Sequence, residues 1–580
     1  MKLSDYIADF LSKKTNHVFV GHGGCVIHIL DSIESNPGLK NIPCENEQGA
    51  AIAAEAYSRV SGNLGVAVAT SGPGMINLMQ GIACAYFDSI PALYISGAPP
   101  TNHLKGDQKA RQIGFQEMDV VDIVRPITKY AVLLKDSKRI RYELEKLIHM
   151  AYEGRPGPVL LDLPDDLQRA EVNPSEMEPF IPETQEPTSV SAEQAEEMLG
   201  LIRNALRPVV VVGGGVKIGH AEAEVNRFIN STGIPFATTW STIDMFLDDN
   251  PNLIGNFGIS ANRTGNFAVQ NADLIICFGS KLDTHQTGSN PARFAPKAKK
   301  IVVDIDKTEL DKKNGLFIDL KVNCDLNVFL KTVNDKKITT KDLTLWKNRI
   351  QEWREKYPVC CPEYLEQREN VNPYVFMNEL SKETKSGDIV ITDAGATLTW
   401  TMQAYRIRTP QMLFSAFNHS PMGYSLPASI GAQFAAPDKQ VLCIIGDGGL
   451  QMNIQELETI AYNRLPIKIF LINNGGYGII RQTQDTWMNS RYVAVDPSSG
   501  LGFPDCQKIA KAYGIETQEI VDHKDLNKAI RNVLEYKGPI LCDVKVKHDQ
   551  QILPKLVFGR PIEDMAPLLS REEFEANMKF

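Results

Sequence analysis

The sequence predicts an α/β protein made of three doubly wound parallel-sheet domains. Apolar, strand-like runs alternate with helical stretches, and that alternation starts afresh three times at similar length. The chain is 580 residues long, which suits several domains rather than one.

The first unit, residues 1–172, carries the runs HVFVGH, LGVAVAT, ALYISG and PVLLDLP, with a helical stretch over Gln48–Val60. Residues 173–190 are rich in Pro and Glu and read as an exposed linker. The second unit, 191–335, opens on Pro208 with PVVVVGGG and continues through ADLIICFG and KKIVVDID. Residues 336–373 are charged and read as a helical connection. The third unit, 374–550, contains GDIVITDAG, KQVLCIIGDGG, IKIFLINN and PILCDVKV. A Pro-containing tail, 551–580, is expected to fold over a neighbouring domain or subunit.

Composition excludes several classes. Apolar residues make up 43% and charged residues 23%, as in ordinary globular proteins. The net charge of −9 argues against nucleic acid as a partner. No apolar run reaches the roughly 18–20 residues of a membrane helix, and the amphipathic N-terminus lacks the pattern of a signal peptide. Ten scattered cysteines with no CxxC pair suggest reduced thiols and a cytoplasmic protein.

The sharpest motif is a pair. Gly446-Asp447-Gly448-Gly449 ends one apolar run, and Asn473-Asn474 ends the next, with MNIQELETIAYNRL reading as a helix between them. Both clusters therefore fall at the carboxyl ends of parallel strands, where open α/β sheets bind ligands. Asp447 offers a carboxylate and Asn474 an amide oxygen, hard donors for Mg²⁺ with diphosphate oxygens filling its shell. The glycines admit close approach of phosphate, and a helix N-terminus favours the anion. GDGG alone reads as readily as a tight turn, and Asn473-Asn474 with the two glycines after it as a second one; the spacing of the two is the signal. A second element is Glu47, in Asn46-Glu47-Gln48-Gly49-Ala50-Ala51, at the start of a helix. Taken alone, an acid there is an ordinary first-turn residue favoured by the helix dipole.

Together these resemble the GDG…NN signature and the HEQGAA segment of thiamine-diphosphate enzymes. The resemblance covers nearly the whole chain and lies nearest the acetolactate (acetohydroxyacid) synthase large-subunit family. Its further matches are Thr70-Ser71-Gly72-Pro73-Gly74, the run Ala85–Pro91 (AYFDSIP), Phe115-Gln116-Glu117, Gly154–Val159 (GRPGPV) and Pro421–Ala428 (PMGYSLPA).

This resemblance implies a pyrimidine-binding (PYR) first domain, a middle domain of FAD or nucleotide type and a diphosphate-binding (PP) third domain. It implies Glu47 as the acid that contacts the cofactor's aminopyrimidine and promotes its imino form. Phe115 and Gln116 would shape the acceptor side. Thiamine diphosphate would touch Gly24, Cys25, Thr70, Asn77, Gly395, Ser420, Met422, Gly446, Gly448, Gly449 and Tyr477. Met422 would prop the cofactor in its bent form, and the Ser420 carbonyl would accept from its 4′-amino group. Asp447, Asn474 and the Gly476 carbonyl would hold Mg²⁺.

FAD, with no net redox role in the main reaction, would lie against Arg155, Gly213, Gly214, Gly215, Thr239, Gly258, Gly279, Lys281, Asp283, Asp304, Asp306 and Asp325. The glycine triplet lacks GxGxxG spacing and is a weak nucleotide signal by itself.

The implied reaction is decarboxylation of a 2-oxo acid, pyruvate by expectation, and transfer of the two-carbon unit to a carbonyl acceptor. The implied assembly is a homodimer or homotetramer with active sites between subunits; a regulatory subunit stays open.

The chain also departs from the pattern. Asn46 stands where histidine is usual. Gly21-His22-Gly23-Gly24-Cys25 replaces Tyr-Pro-Gly-Gly-Ala, which is expected to open space near the cofactor. The loop Thr101–Gly114 is longer and carries His103, Lys105, Lys109 and Arg111. Lys281 stands for arginine and gives up bidentate phosphate contact. Thr483, in Arg481-Gln482-Thr483-Gln484, stands for the tryptophan of RQWQ, which predicts a wider, more polar acceptor pocket. Three readings follow: an acetolactate synthase; a related carboligase acting on a keto-sugar nucleotide, or a simple 2-oxo-acid decarboxylase; and a cofactor-binding scaffold without chemistry, against which Glu47, Asp447 and Asn474 argue.

Overall fold

A computed structural model describes residues 1–183 and 191–579. The linker expectation for 184–190 lies outside the described residues. The chain folds into three six-stranded sheets, parallel in every pairing.

The first sheet comprises β1 (His17–Val20), β2 (Lys40–Pro43), β3 (Gly65–Ala69), β4 (Ala92–Ala98), β5 (Tyr130–Leu133) and β6 (Pro158–Pro164), in the order β2-β1-β3-β4-β6-β5. The second comprises β7 (Pro208–Val212), β8 (Phe236–Thr238), β9 (Leu253–Asn256), β10 (Leu274–Phe278), β11 (Lys299–Asp304) and β12 (Leu320–Asn323), ordered β12-β11-β10-β7-β8-β9. The third comprises β13 (Ile389–Thr392), β14 (Met412–Phe414), β15 (Val441–Gly446), β16 (Lys468–Asn473), β17 (Glu516–Ile520) and β18 (Ile540–Lys545), ordered β14-β13-β15-β16-β18-β17.

The first and third sheets thus share one topology, and the middle sheet has the order of dinucleotide-binding folds. In the first and third sheets the strand order reverses a second time at the far edge (β6-β5 and β18-β17); in each sheet the first reversal lies beside the opening strand. That point falls between β1 and β3, between β7 and β10, and between β13 and β15. Crevices at such reversals are where ligands enter.

The central strands are continuous apolar runs because helices cover both faces; β3, β4, β6, β7 and β10 are buried along their full length. The first and third domains share one core. The helix Glu47–Ser61 is almost all small residues on its packed face and lies against the helix Ser425–Ala435. The approach is so close that a Cβ on Gly431 would overlap the Ala53 carbonyl. Between 336 and 373, the helix Thr344–Lys356 buries Trp346 and Trp353 against the middle domain. The tail folds onto that same domain: Asn266 Nδ2 donates to the Ile562 carbonyl at 2.7 Å, and Asn271 Nδ2 to the Asn577 carbonyl at 3.0 Å. Among the described residues no helix is long and apolar enough to cross a membrane.

Candidate active site

Glu47 opens the helix Glu47–Ser61, which is capped by Asn46: its side chain accepts from the Gln48 N–H at 2.8 Å. The residue that replaces the expected histidine therefore serves as a helix cap. The Glu47 carboxylate is half-buried and accepts from Asn77 Nδ2 at 2.9 Å. Thr70, at the end of β3, faces the turn after β1, where Cys25 N donates to Thr70 Oγ1 at 3.4 Å.

The turn after β1 corrects one expectation. Gly21 does not leave room beside the site, because a Cβ there would overlap Glu47 Cγ. The glycine makes space for the acid's own side chain. Gly23 is likewise needed against Thr70, whereas Gly24 faces open space.

On the third sheet, Asp447 is the first residue of the helix Asp447–Met452, directly beyond β15. Its carboxylate accepts from the N–H groups of Gly448 (2.7 Å), Gly475 (2.7 Å) and Gly476 (3.3 Å). Burial nevertheless pushes its carboxyl up to about 6, against the pull of those N–H groups. A buried acid held by backbone and raised in this way suits a cation partner. Asn474 sits on the facing turn beyond β16, and its Nδ2 is buried with no partner. The Gly476 carbonyl accepts from Gly478 N at 3.0 Å and retains a second lone pair. One carboxylate, one amide and one carbonyl form a sparse set of hard donors, which suits Mg²⁺ that takes its other ligands from a diphosphate. The glycines are steric requirements: a Cβ on Gly448 would overlap the Tyr477 ring and come within 3.2 Å of Met422 Cε, and one on Gly449 would overlap Asp393.

The stretch between the two signature pairs forms two helices, not one: Asp447–Met452 and Glu456–Tyr462. The break places Asn453 and Glu456 against the first domain. Asn453 Nδ2 donates to the Gly423 carbonyl at 2.9 Å, and Gln48 Nε2 lies 3.3 Å from Asn453 Oδ1. Glu456 accepts from Asn46 N at 3.0 Å, and burial raises its carboxyl to about 7. Residues flanking Glu47 are thus tied to the helix pair that follows Asp447.

Ser420 and Met422 lie on the turn before the helix Ser425–Ala435, with Ser420 in the left-handed region at φ 52°. Gly423 N and Ser425 N donate to Asp393, at 3.0 and 3.3 Å. Gly395 starts the helix beyond β13 at φ 82°. Asp393, Asn453 and Glu456 were not singled out from sequence; only the DAG at the end of β13 offered a signal.

Phe115 is 83% exposed in the single chain, and Gln116 adopts φ 61° beside Gly72. Glu117 has a structural part. It accepts from the N–H groups of Lys105, Ile113 and Gly114, and these hold its carboxyl below the usual range although burial opposes them. The long loop is thereby pinned at its base. Lys105 is paired with Asp119 at 2.7 Å, while His103, Lys109 and Arg111 are exposed. Thr483 folds its hydroxyl back onto the Ile479 carbonyl at 2.9 Å.

The middle sheet brings its expected residues to one edge. Gly213, Gly214 and Gly215 follow β7 and Gly279 follows β10, so they flank the reversal point. A Cβ on Gly215 would lie 2.8 Å from Gly279 Cα. Thr239 follows β8, its Oγ1 2.9 Å from Ser241 Oγ; Gly258, at φ 120°, follows β9. Asp304 ends β11, and burial raises its carboxyl. Several of the others already have partners. Asp283, Asp306 and Asp325 cap the helices that follow them. Arg155 reaches across from the first domain to Asp306 (3.1 Å) and Glu309 (3.0 Å), and Lys281 lies 3.4 Å from Asp283. The glycine crevice and the strand-end carboxylate fit a nucleotide's diphosphate and ribose; both cations would have to be shared.

Comparison with known proteins finds three domains in the same order. Profiles described as "Thiamine pyrophosphate enzyme, N-terminal TPP binding domain", "central domain" and "C-terminal TPP binding domain" match residues 1–123, 195–333 and 393–544. The chain is 33% identical over 555 residues to an acetolactate synthase large subunit of Porphyra purpurea, covering 94% of this chain and 91% of that one. It is 33% identical over 583 residues to the chloroplastic acetolactate synthase 2 of Brassica napus (97% and 88%), and 32% identical over 583 residues to acetolactate synthase 1 of Oryza sativa subsp. japonica (97% and 87%). Likeness of this extent, across all three domains in order, places the protein among the thiamine-diphosphate-dependent enzymes as a carboligase of the acetolactate synthase type.

Proposed function

We propose that the enzyme decarboxylates pyruvate or a close 2-oxo acid and joins the remaining two-carbon unit to a carbonyl acceptor, in an active site made by two copies of the chain. The single observation that carries this reading is the pair of carboxylates, Glu47 and Asp447, each at the carboxyl edge of a sheet of the same topology.

In this reading Asp447, Asn474 and the Gly476 carbonyl hold Mg²⁺, and Gly446, Gly448 and Gly449 admit the diphosphate. Tyr477, Gly395, Ser420 and Met422 line the ring side on the third domain; Gly24, Cys25, Thr70 and Asn77 line it on the first. When bound, thiamine diphosphate supplies an acidic ring carbon that adds to a 2-oxo acid and an electron sink for the departing carbon dioxide.

Glu47 holds a proton at the far ring's nitrogen, oriented by Asn77 and fixed from behind by Gly21. Phe115 and Gln116 exclude water on the acceptor side. The exposure of Ile76, Asn77 and Phe115 in the single chain supports a second copy covering this face. We assign FAD to the middle-domain crevice as a bound, non-transferring group. Among the described residues no disulfide joins any of the ten cysteines, which supports a reducing compartment such as the cytoplasm.

A second reading, a keto-sugar nucleotide as acceptor, draws support from Thr483, a small polar residue on the helix Gly478–Met488, and from the exposed cations of the 101–114 loop. One assay separates the two. With pyruvate alone, carbon dioxide and acetolactate in equal amounts support the acetolactate reading. Turnover that begins only when a second carbonyl compound is added supports the other.

A further inference from the structure

We propose that Asp88 is a positioning residue for the thiamine ring: from the first domain it fixes the third-domain turn that carries Ser420 and Met422. This inference rests on the reading of that turn given above.

Asp88 is the last residue of the helix Pro73–Asp88, and its side chain is 4% exposed. Its two oxygens accept four hydrogen bonds. Oδ2 takes the Phe417 N–H at 3.0 Å and Arg59 Nη2 at 2.8 Å; Oδ1 takes the Asn418 N–H at 3.0 Å and Asn418 Nδ2 at 2.7 Å. Arg59 is itself held by Glu55, and its guanidinium lies over the Phe414 ring of β14, 5.2 Å from the centroid. Glu55 in turn accepts from the Tyr424 hydroxyl at 2.6 Å.

The turn 417–422 is therefore gripped at both ends. The first end hangs on Asp88. The far end is held by Asp393 and Asn453, which bond the Gly423 N–H and carbonyl. Between the grips stand Ser420, in a left-handed conformation that its neighbours must maintain, and Met422. An ionised carboxylate offers about four acceptor sites, and here four donors face it. An amide keeps one acceptor oxygen and turns two donors toward Phe417 N–H and Arg59. The first grip then opens while the diphosphate anchor at Asp447, on another turn, stays whole.

Two ligands separate positioning from simple damage. Thiamine diphosphate touches the gripped turn; inorganic pyrophosphate with Mg²⁺ uses only the Asp447 side. Calorimetric titration of the full-length wild type and Asp88→Asn should show thiamine diphosphate weakened by about tenfold or more, the scale of one lost buried hydrogen bond. Pyrophosphate affinity should stay within about twofold. Equal weakening of both ligands, or no change in either, overturns the proposal. Should Asp88→Asn not fold, Asn418→Ala removes one of the four bonds and should give a smaller loss with the same selectivity; equal loss for both ligands overturns the proposal there too. A wild type that binds pyrophosphate but not thiamine diphosphate sinks the underlying reading of the turn instead, so the two failures are told apart.

Discussion

The first and third domains fold in the same strand order, yet their reversal points carry different chemistry. At the first, the turn after β1 has glycine at position 21 so that one acid, Glu47, can sit against it. At the third, the turn after β15 gathers backbone N–H groups around one acid, Asp447, and leaves a buried amide unpaired opposite. One carboxylate is placed to hold a proton and the other to hold a metal. Topology fixes where a ligand enters; glycine placement and backbone donors decide what the acid there does.

The largest expected effect breaks the first half of that comparison. Glu47→Gln should lower turnover of pyruvate by about 10²- to 10⁴-fold, the range for losing a general acid–base group, while thiamine diphosphate is still retained on gel filtration. Substantial turnover in this variant would remove Glu47 from its role. Asp447→Ala should do the opposite: the protein should elute without cofactor. Retention at full occupancy would take the metal role from Asp447. Gly21→Ala tests the corrected role of that glycine. It should displace Glu47 and lower kcat about tenfold or more with little change in cofactor affinity, since misplacement on the ångström scale is costly in preorganised sites. An unchanged kcat would show the Glu47 side chain free to move aside.

Two buried acids extend the comparison to pH. Asp162, in the first sheet, has the Ser96 hydroxyl as a partner at 2.7 Å, and burial raises its carboxyl to about 7. Asp393, equally buried in the third sheet, is bonded by backbone N–H groups and rises only to about 6. A carboxyl raised by folding favours the protonated folded state, so its destabilising effect is absent only well below the ordinary carboxyl value of 3.8. The effect grows as pH climbs past the ordinary carboxyl value and is complete above about 7. Asp162→Asn should therefore raise the melting temperature at pH 8 and raise it much less near pH 4.5. An equal shift at both values would contradict this. The smallest effect is expected at Thr483→Trp. A bulky wall there should change relative kcat/KM between small and large acceptors by about tenfold, within the range of apolar pocket discrimination.

Much of this was legible in the sequence, for identifiable reasons. Strands buried on both faces, such as VVVV in β7 and LIIC in β10, are continuous apolar runs and stand out. Edge strands such as β2, β5, β14 and β17 are short or mixed in character and did not. The two signature acids were legible because glycines and amides surround them at set spacings. The ties between the domains were not: Asp393, Asn453 and Glu456 are ordinary acids and amides whose partners lie far away in sequence, and Asp88, though inside the matched run Ala85–Pro91, shows nothing of its distant partners there. Glu456 meets Asn46 across 410 positions and Asp88 meets Asn418 across 330. The space expected at Gly21 was misread for the same reason, since its occupant, Glu47, arrives from a different element.

The central claim is that each active site combines Glu47 of one chain with Asp447 of another. Co-assembling Glu47→Gln and Asp447→Ala chains, each inactive alone, tests it directly. If the site is shared, mixed pairs regain one intact site, and random pairing should restore about a quarter of wild-type activity. If mixed pairs form, as mass spectrometry can verify, and activity stays at the level of the single variants, the two acids do not meet across the subunit boundary.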